Sequence, residues 1–455
     1  MRHMRHISIH LCALCALLGF AASASAEPTS PPRVRAWPDG SAVVGYHSRE
    51  ALRSALERFP GRVVRRVPRL KAAVVRPESS IREFAAGVSG QPGIAYVERQ
   101  IPRAPAVDPS LALGPYPGGS FEWQYAAAHE NDVPAPVLRA ASAVTIAVVD
   151  TGADLSAPDL AAKSPLTHSA ITGGTDVTDR NGHGTFVASL AAGSVTNDEG
   201  IAGFGGDARL MVVQAGDADG SFSDVDEAAG IVYAVDHGAR IVNLSLGGEG
   251  TSSIEASAVR YAADRGVLLV AAAGNSYLYG NPVMYPAALL QPLGSSGQGG
   301  VGLAVAASDW NGARAPFSST GSFVSLAAPG VDVFGAVASH ASSSMWPRSL
   351  LPDSSAGQYG YASGTSFSSP EVAGAAALVW AANPGLLAGQ VASILKSTAS
   401  GHGRWTSQLG YGVVDVAAAV ARARQVVARR PGAKRAILPA ARSTTTLRDR
   451  VRSRR

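Results

Sequence analysis

Between residues 140 and 420, short apolar runs alternate with helical patterns, and this alternation limits the fold more than any other feature of the chain. Runs such as Ile146-Ala147-Val148-Val149 and Val267–Ala273 are apolar at every position, so both faces of each need cover. That is the pattern of a parallel sheet lying between helix layers. Candidate strands are Val144–Val149, Arg209–Gln214, Arg240–Leu246, Val267–Ala273, Val301–Ala307 and Phe323–Ala327. Candidate helices include Ser253–Arg265 and Asp224–His237, in which Val225, Ala228, Ala229, Val232 and Val235 fall on one stripe. The expected fold class is α/β with a mostly parallel central sheet.

Charged residues make up only 16% of the chain against 46% hydrophobic, which is too little charge for a coiled coil or a disordered chain. Both cysteines, Cys12 and Cys15, fall in the first 26 residues. There Arg2 and Arg5 precede an apolar stretch from Leu11 to Ala22 and the small-x-small sequence Ala24-Ser25-Ala26. Residues 1–26 read as a secretory signal peptide, the alternative being a buried core helix; the apolar run is too short to span a membrane. Its removal leaves no cysteine, which excludes disulfides, thiol catalysis and Cys-ligated zinc.

Residues 41–100 read as a separate unit: strand Ser41–Tyr46, helix Arg49–Phe59, strand Arg62–Val75, helix Ser80–Val88 and strand Ile94–Glu98. This is a small α+β domain packing two helices on a sheet. Pro102, Pro105, Pro109, Pro115 and Pro117 give residues 102–120 the composition of a linker. The formal net charge of +5 conceals an acidic body between basic ends. Residues 27–106 hold 14 basic and 7 acidic residues, 107–420 hold 11 and 26, and 421–455 hold 12 and 1. The last segment, rich in Arg and poor in large apolar residues, reads as an unfolded or peripheral tail.

Ligands of such sheets sit beyond the carboxyl ends of the strands, so the residues just after each strand carry the functional reading. Asp150 ends the first run of the body; a carboxylate there is buried and needs a partner. His183 lies between two glycines in Asn181-Gly182-His183-Gly184-Thr185, opening a helix that continues through Phe186–Ala192. Ser366 stands at the entry of the apolar helix Glu371–Ala382, where free backbone N–H groups favour developing negative charge. A hydroxyl, an imidazole to take its proton and a carboxylate to orient the imidazole are what nucleophilic acyl transfer requires. Taken singly, each has an ordinary reading as a surface histidine, a helix-capping serine or a turn aspartate.

Asp150-Thr151-Gly152, His183-Gly184-Thr185 and Gly364-Thr365-Ser366, in that order, resemble the three active-site signatures of the subtilisin-like serine proteases, and the resemblance runs through about 107–420. It implies a three-layer subtilisin-like fold and endopeptidase activity, with Asp150 orienting His183, His183 as general base and then acid, and Ser366 as nucleophile. It implies that Ala271-Ala272-Ala273-Gly274-Asn275 is the oxyanion loop, the Asn275 amide and the Ser366 N–H being the donors. It also makes Asn243–Gly248 the substrate edge, where Ser245, Leu246, Gly247 and Gly248, together with Gly274, receive an extended peptide as an added strand. The chemistry requires no cofactor. A structural calcium ion is implied at Asp159 and Asn197 with Gln124 as a third ligand, the alternative being an ordinary acidic surface loop. Residues 27–106 become an inhibitor-like, ferredoxin-like propeptide, ending within 102–120, that assists folding and caps the cleft of the 107–420 catalytic domain. Its charge, opposite to that of the body, favours docking.

The implied partners are polypeptide substrates and the chain's own propeptide. The implied location is extracellular, or periplasmic or cell-surface in a Gram-negative bacterium. Several positions depart from the family pattern: Phe367 stands where most members have Met, Glu371 where most have His, and Ser342–Gln358 reads as an insertion. In Ser276–Pro282, Tyr277 and Tyr279 either narrow the specificity pocket or cover the surface. Three other readings compete. Carboxyl peptidases of the same fold would need Glu in place of His183. A catalytically inactive binding protein could retain the fold. Binding through the basic tail is the third; nucleic acid is not expected, because residues 421–455 contain no aromatic residue, which leaves contact with an anionic membrane surface.

Overall fold

The computed structural model describes residues 40–106, 122–197, 200–339, 341 and 358–427. The expected signal peptide, the tail beyond residue 427 and nearly all of the 342–358 insertion lie outside the described residues.

Among the described residues, seven parallel strands form the central sheet, in the spatial order Leu326–Pro329, Gly302–Ser308, Leu268–Ala272, Ile241–Leu244, Thr145–Asp150, Arg209–Gln214 and Leu166–Ser169. Alternate side chains enter opposite layers. Ile146 and Val148 pack with Phe186 and Leu378, while Ala147 and Val149 pack with Val225 and Ile231. The first layer holds the helices His183–Ala192 and Thr365–Ala382; the second holds Asp224–Asp236 and Ser253–Ala263. In Thr365–Ala382 every residue through Trp380 is buried, and the run of small residues from Ala373 to Ala377 lets this helix pass through the interior.

The chain starts the sheet at Thr145–Asp150, adds two strands on one side, then crosses to Ile241–Leu244 and builds outward on the other. The order therefore reverses beside Asp150, which opens the crevice where open α/β sheets bind ligands. Arg240–Leu246, expected as one strand, divides there. Ile241–Leu244 stays in the central sheet, and Leu246–Glu249 turns out of it into a second, antiparallel sheet.

Residues 42–99 form a β-α-β-β-α-β unit whose antiparallel sheet has the order Gly61–Val67, Ala72–Pro77, Ala42–Tyr46, Ile94–Arg99. The expected single strand Arg62–Val75 is instead a hairpin. Pro68 fixes its own φ and offers no N–H, and Lys71 takes a left-handed φ of 50°, so the ladder breaks and reverses. Ser80 and Glu83 form a reciprocal capping box at the start of helix Ile81–Ser89, which explains its sharp beginning.

One face of this sheet joins the core of the body: Val43, Val67 and Val74 share a cluster with Val225 and Val259. Polar contacts frame it. Glu98 accepts hydrogen bonds from Ser253 N (2.8 Å) and Oγ (2.5 Å), capping the Ser253–Ala263 helix. Arg69 pairs with Asp236 at 2.9 Å, and Arg65 with Asp226. No helix among the described residues is long and apolar enough to cross a membrane.

Candidate active site

Asp150 closes its strand fully buried, and its Oδ1 lies 2.6 Å from His183 Nδ1. The Thr151 N–H donates to the same oxygen at 2.7 Å, which fixes the carboxylate in line with the ring. His183 opens its helix behind Gly182, whose φ of 100° suits glycine. Gly184 is required for a different reason: a Cβ there would lie 2.2 Å from the Gly152 carbonyl oxygen. Only hydrogen at that position lets the Asp150 and His183 loops come together.

Ser366 lies in the first turn of the Thr365–Ala382 helix, slightly further into it than its expected place at the entry. Its hydroxyl donates to the Ser245 carbonyl at 2.8 Å, and the Ser245 hydroxyl donates to the Ser366 carbonyl at 2.6 Å. Asn243 and Ser369 hold this contact from behind, through Asn243 Nδ2 to Ser245 Oγ (2.8 Å) and Ser369 Oγ to Asn243 Oδ1 (2.7 Å).

The residues expected to form a linker occupy this crevice. Pro102–Pro105 is a strand paired antiparallel with Leu246–Glu249 on one side and Phe222–Ser223 on the other, with Leu246 opposite Pro105 and Gly247 opposite Ala104. Proline tolerates an edge or terminal position in a strand, and proline composition alone hid this one. Ala106 follows with its N–H 3.4 Å from the Ser245 carbonyl oxygen. Its own carbonyl oxygen accepts from Ser366 N at 3.3 Å and from Asn275 Nδ2. One carbonyl thus meets both expected donors.

Residues 141–412 match the peptidase S8 or subtilase family. The chain belongs to the subtilase family. Residues 36–100 of this subtilase match the fervidolysin N-terminal prodomain. It is similar to thermitase of Thermoactinomyces vulgaris, 37% identical over 266 residues that make up 57% of this chain and 81% of that one. It is 30% identical over 420 residues to fervidolysin of Fervidobacterium pennivorans (84% of this chain, 58% of that one) and 36% identical over 243 residues to a thermophilic serine proteinase of Bacillus sp. (strain AK1) (53% of each). The crystal structure of fervidolysin, described as a keratinolytic enzyme related to subtilisin, matches with a TM-score of 0.72 at 27% identity, covering 86% of this chain and 61% of that one. The subtilase thus spans about half the length of the Bacillus proteinase and three fifths of fervidolysin. Its fold is subtilisin-like.

In this subtilase Asp179, which the sequence reading did not single out, ties the two loops together. It accepts hydrogen bonds from Thr151 Oγ1 (2.9 Å), Asn181 N (3.1 Å), Gly182 N (2.8 Å), Thr185 N (2.8 Å) and Thr185 Oγ1 (2.6 Å). The signal for it was an acid four residues before His183 in a turn-forming sequence. Gly248 lies under the Pro102–Pro105 strand, where a Cβ would meet Pro102 O at 2.7 Å. Gly274 takes a φ of 105° and donates its N–H to Thr365 Oγ1 at 3.1 Å. Phe367 packs its ring 5.8 Å from that of His183 and 4.7 Å from that of Phe186. Glu371 is buried without a hydrogen bond to its carboxyl among the described residues, and burial pushes its pKa well above the usual range, so it is held neutral. Tyr277 and Tyr279 stand 40% and 41% exposed, Tyr277 under the Arg314 guanidinium, and so cover surface.

The three expected calcium residues lie along one chain of contacts. Asp159 is buried and accepts from Asn197 Nδ2 (3.1 Å), Ile201 N (3.3 Å) and Tyr359 Oη (2.8 Å). Tyr359 stacks on Phe334, whose carbonyl accepts from Gln124 Nε2 at 2.9 Å. The buried Gln124 Oε1 accepts nothing among the described residues, which makes it an oxygen suited to a hard cation. No group of three His, Cys, Asp or Glu among the described residues is arranged for a metal, so this site would rest on amide oxygens beside Asp159.

Proposed function

We propose that the chain is a secreted serine endopeptidase made as a precursor, and that it cuts itself after Ala106 before acting on other polypeptides. The single observation that carries this reading is the Ala106 carbonyl oxygen, which accepts from both Ser366 N and Asn275 Nδ2. Two hydrogen-bond donors converging on one carbonyl beside a buried hydroxyl support an acyl-transfer reading with Ala106 as the first substrate residue.

The steps follow from the residues. His183 Nε2 takes the Ser366 proton as Oγ attacks the Ala106 carbonyl carbon, and Asp150, paired to Nδ1, stabilises the imidazolium. The carbonyl electrons move onto oxygen, where Asn275 and the Ser366 N–H meet the charge. Collapse expels the Val107 amine, which takes the proton from His183 and leaves Ala106 esterified to Ser366. Water, deprotonated by His183, then hydrolyses the ester. External polypeptides follow the same path as an added strand on Leu246–Glu249. Residues 27–106 act as intramolecular chaperone and first substrate, the apolar face of their sheet and Arg65, Arg69 and Glu98 holding them to the body.

A calcium ion would be structural, held by Asp159, Asn197 and Gln124, with Asn197 presenting its oxygen. Millimolar calcium then raises the Tm, and Asp159→Ala removes that rise. Sequencing the mature N-terminus tests the main proposal: the wild type begins at Val107, and Ser366→Ala stays joined at that bond. A wild type that starts elsewhere, or a Ser366→Ala protein cut at Ala106, contradicts it.

A further inference from the structure

The Pro102–Pro105 strand buries a guanidinium. Arg103 is fully buried, three residues before the Ala106 carbonyl, in a slot walled by carboxylates of the body. Its Nε and Nη2 donate to Glu255 Oε1 at 3.1 and 2.7 Å, and Nε lies 3.4 Å from Glu227 Oε2. Nη2 also donates to the Gly250 carbonyl (3.3 Å) and Nη1 to the Pro102 carbonyl (3.1 Å). Thr251 Oγ1 donates to Glu255 Oε2 at 2.9 Å and holds that carboxylate in place. Asp224, also buried, is close enough for its charge to act on Arg103. Gly248 completes the slot, since a Cβ there would stand 3.2 Å from Nη1 and 3.5 Å from Cδ.

The charge balance gives this slot a function beyond anchoring the precursor. Asp224 and Glu227 are buried on the Asp224–Asp236 helix and Glu255 on the Ser253–Ala263 helix, and Arg103 is a cation set among them. Burial drives the Glu227 pKa well up and raises Asp224 to about 6. Burial also works to lower the Arg103 pKa, but the charges of Glu255 and Glu227 override it and hold the guanidinium above its ordinary value. When residues 27–106 leave, Glu255, Glu227 and Asp224 lose the cation and hydrogen-bond donor that they surround, and buried acidic groups left without such a partner are costly. A substrate that returns a guanidinium to the same place relieves that cost. Arg103 uses all three of its nitrogens, a match that a lysine ammonium cannot reproduce.

Resting on the protease reading above, we infer that the processed enzyme selects polypeptides with arginine three residues before the residue whose carbonyl is attacked, and that Glu255, Glu227 and Asp224 are its specificity-determining residues.

The test uses processed wild-type enzyme and internally quenched peptides carrying Arg-Ala-Pro-Ala before the scissile bond, with Arg replaced in turn by Lys, citrulline, Leu and Glu. Replacing Arg by citrulline should lower kcat/KM by about 30-fold or more, since it removes the charge from a buried pair, with Lys between the two and Glu slowest. In Glu255→Gln, the preference for Arg over citrulline should shrink at least about tenfold, with fluorophosphonate labelling of Ser366 reporting that the variant is folded. Processing of the precursor should slow in Arg103→Ala. An enzyme that labels at Ser366 and cuts the Leu or citrulline peptide as fast as the Arg peptide overturns the arginine slot and leaves the protease reading standing. Absence of both label and cleavage overturns the protease reading, and the slot with it.

Discussion

Thr365 donates both its backbone N–H (3.0 Å) and its hydroxyl (2.8 Å) to Oδ1 of Asn275. An amide whose oxygen is held twice presents its nitrogen outward, here toward the Ala106 carbonyl. Thr365 is therefore a positioning residue for the donor beside it. Thr365→Val keeps the N–H contact and loses the hydroxyl, so kcat on a peptide substrate should fall about tenfold with little change in KM. Asn275→Ala removes the donor itself; the expected loss of about 10²–10³ in kcat is the magnitude known for subtilisin's own oxyanion asparagine, taken over rather than derived.

Gly184→Ala brings a methyl to within 2.2 Å of the Gly152 carbonyl oxygen, a backbone atom that no side-chain rotation can move aside. Either the Asp150 loop or the start of the His183 helix must move, and a displacement near 1 Å is enough to cost about 100-fold in rate. Processed Gly184→Ala enzyme should show that loss in kcat/KM, whereas Gly389→Ala, with nothing within 4 Å of the added methyl, should not.

Glu130 gives stability a pH dependence of defined sign. Burial, aided by the charge of Glu122, raises its pKa from 4.5 to about 7. The folded protein thus holds a proton between pH 4.5 and 7 that the unfolded chain releases, so this residue destabilises progressively as pH rises through that window. Glu130→Gln should raise the unfolding free energy at pH 8 by about 1–3 kcal/mol and leave it nearly unchanged at pH 4. Thermal or urea unfolding at the two pH values reads this directly.

Glu98 reaches from the prodomain to the first N–H of the Ser253–Ala263 helix. Losing a cap of this kind costs about 1 kcal/mol, or about fivefold in an equilibrium constant. Precursor carrying Glu98→Ala should therefore give a lower yield of processed enzyme at equal expression, and Glu98→Gln, which keeps an acceptor, should recover part of it.

The residues proposed to act were legible because each stands in a short local pattern at the junction of two elements. Asp150, His183 and Ser366 were singled out from their own neighbours and the order of their loops, and Asn275 from the resemblance of Ala271–Asn275 to the family's oxyanion loop. The central sheet was legible for a similar reason, since its strands are apolar on both faces. Ala106 and Arg103 were not legible, because their place depends on where the chain runs after leaving the prodomain sheet, and five prolines gave that stretch the composition of a linker. Asp179 was missed because an aspartate in Thr178-Asp179-Arg180-Asn181 looks like any turn former until its five donors are seen together. The hairpin inside Arg62–Val75 was hidden because the Val-rich residues 62–67 and 72–75, on either side of Pro68, each suit a strand.

Protease activity in this chain requires that Ser366 be a reactive nucleophile activated by His183. Labelling of the processed protein with a fluorophosphonate, followed by mass spectrometry of the labelled peptide, measures this. The expected result is one phosphonylated site, at Ser366, lost in Ser366→Ala and slowed at least about 10³-fold in His183→Ala. Folded, processed protein that takes no label, or takes it at another serine, would contradict it.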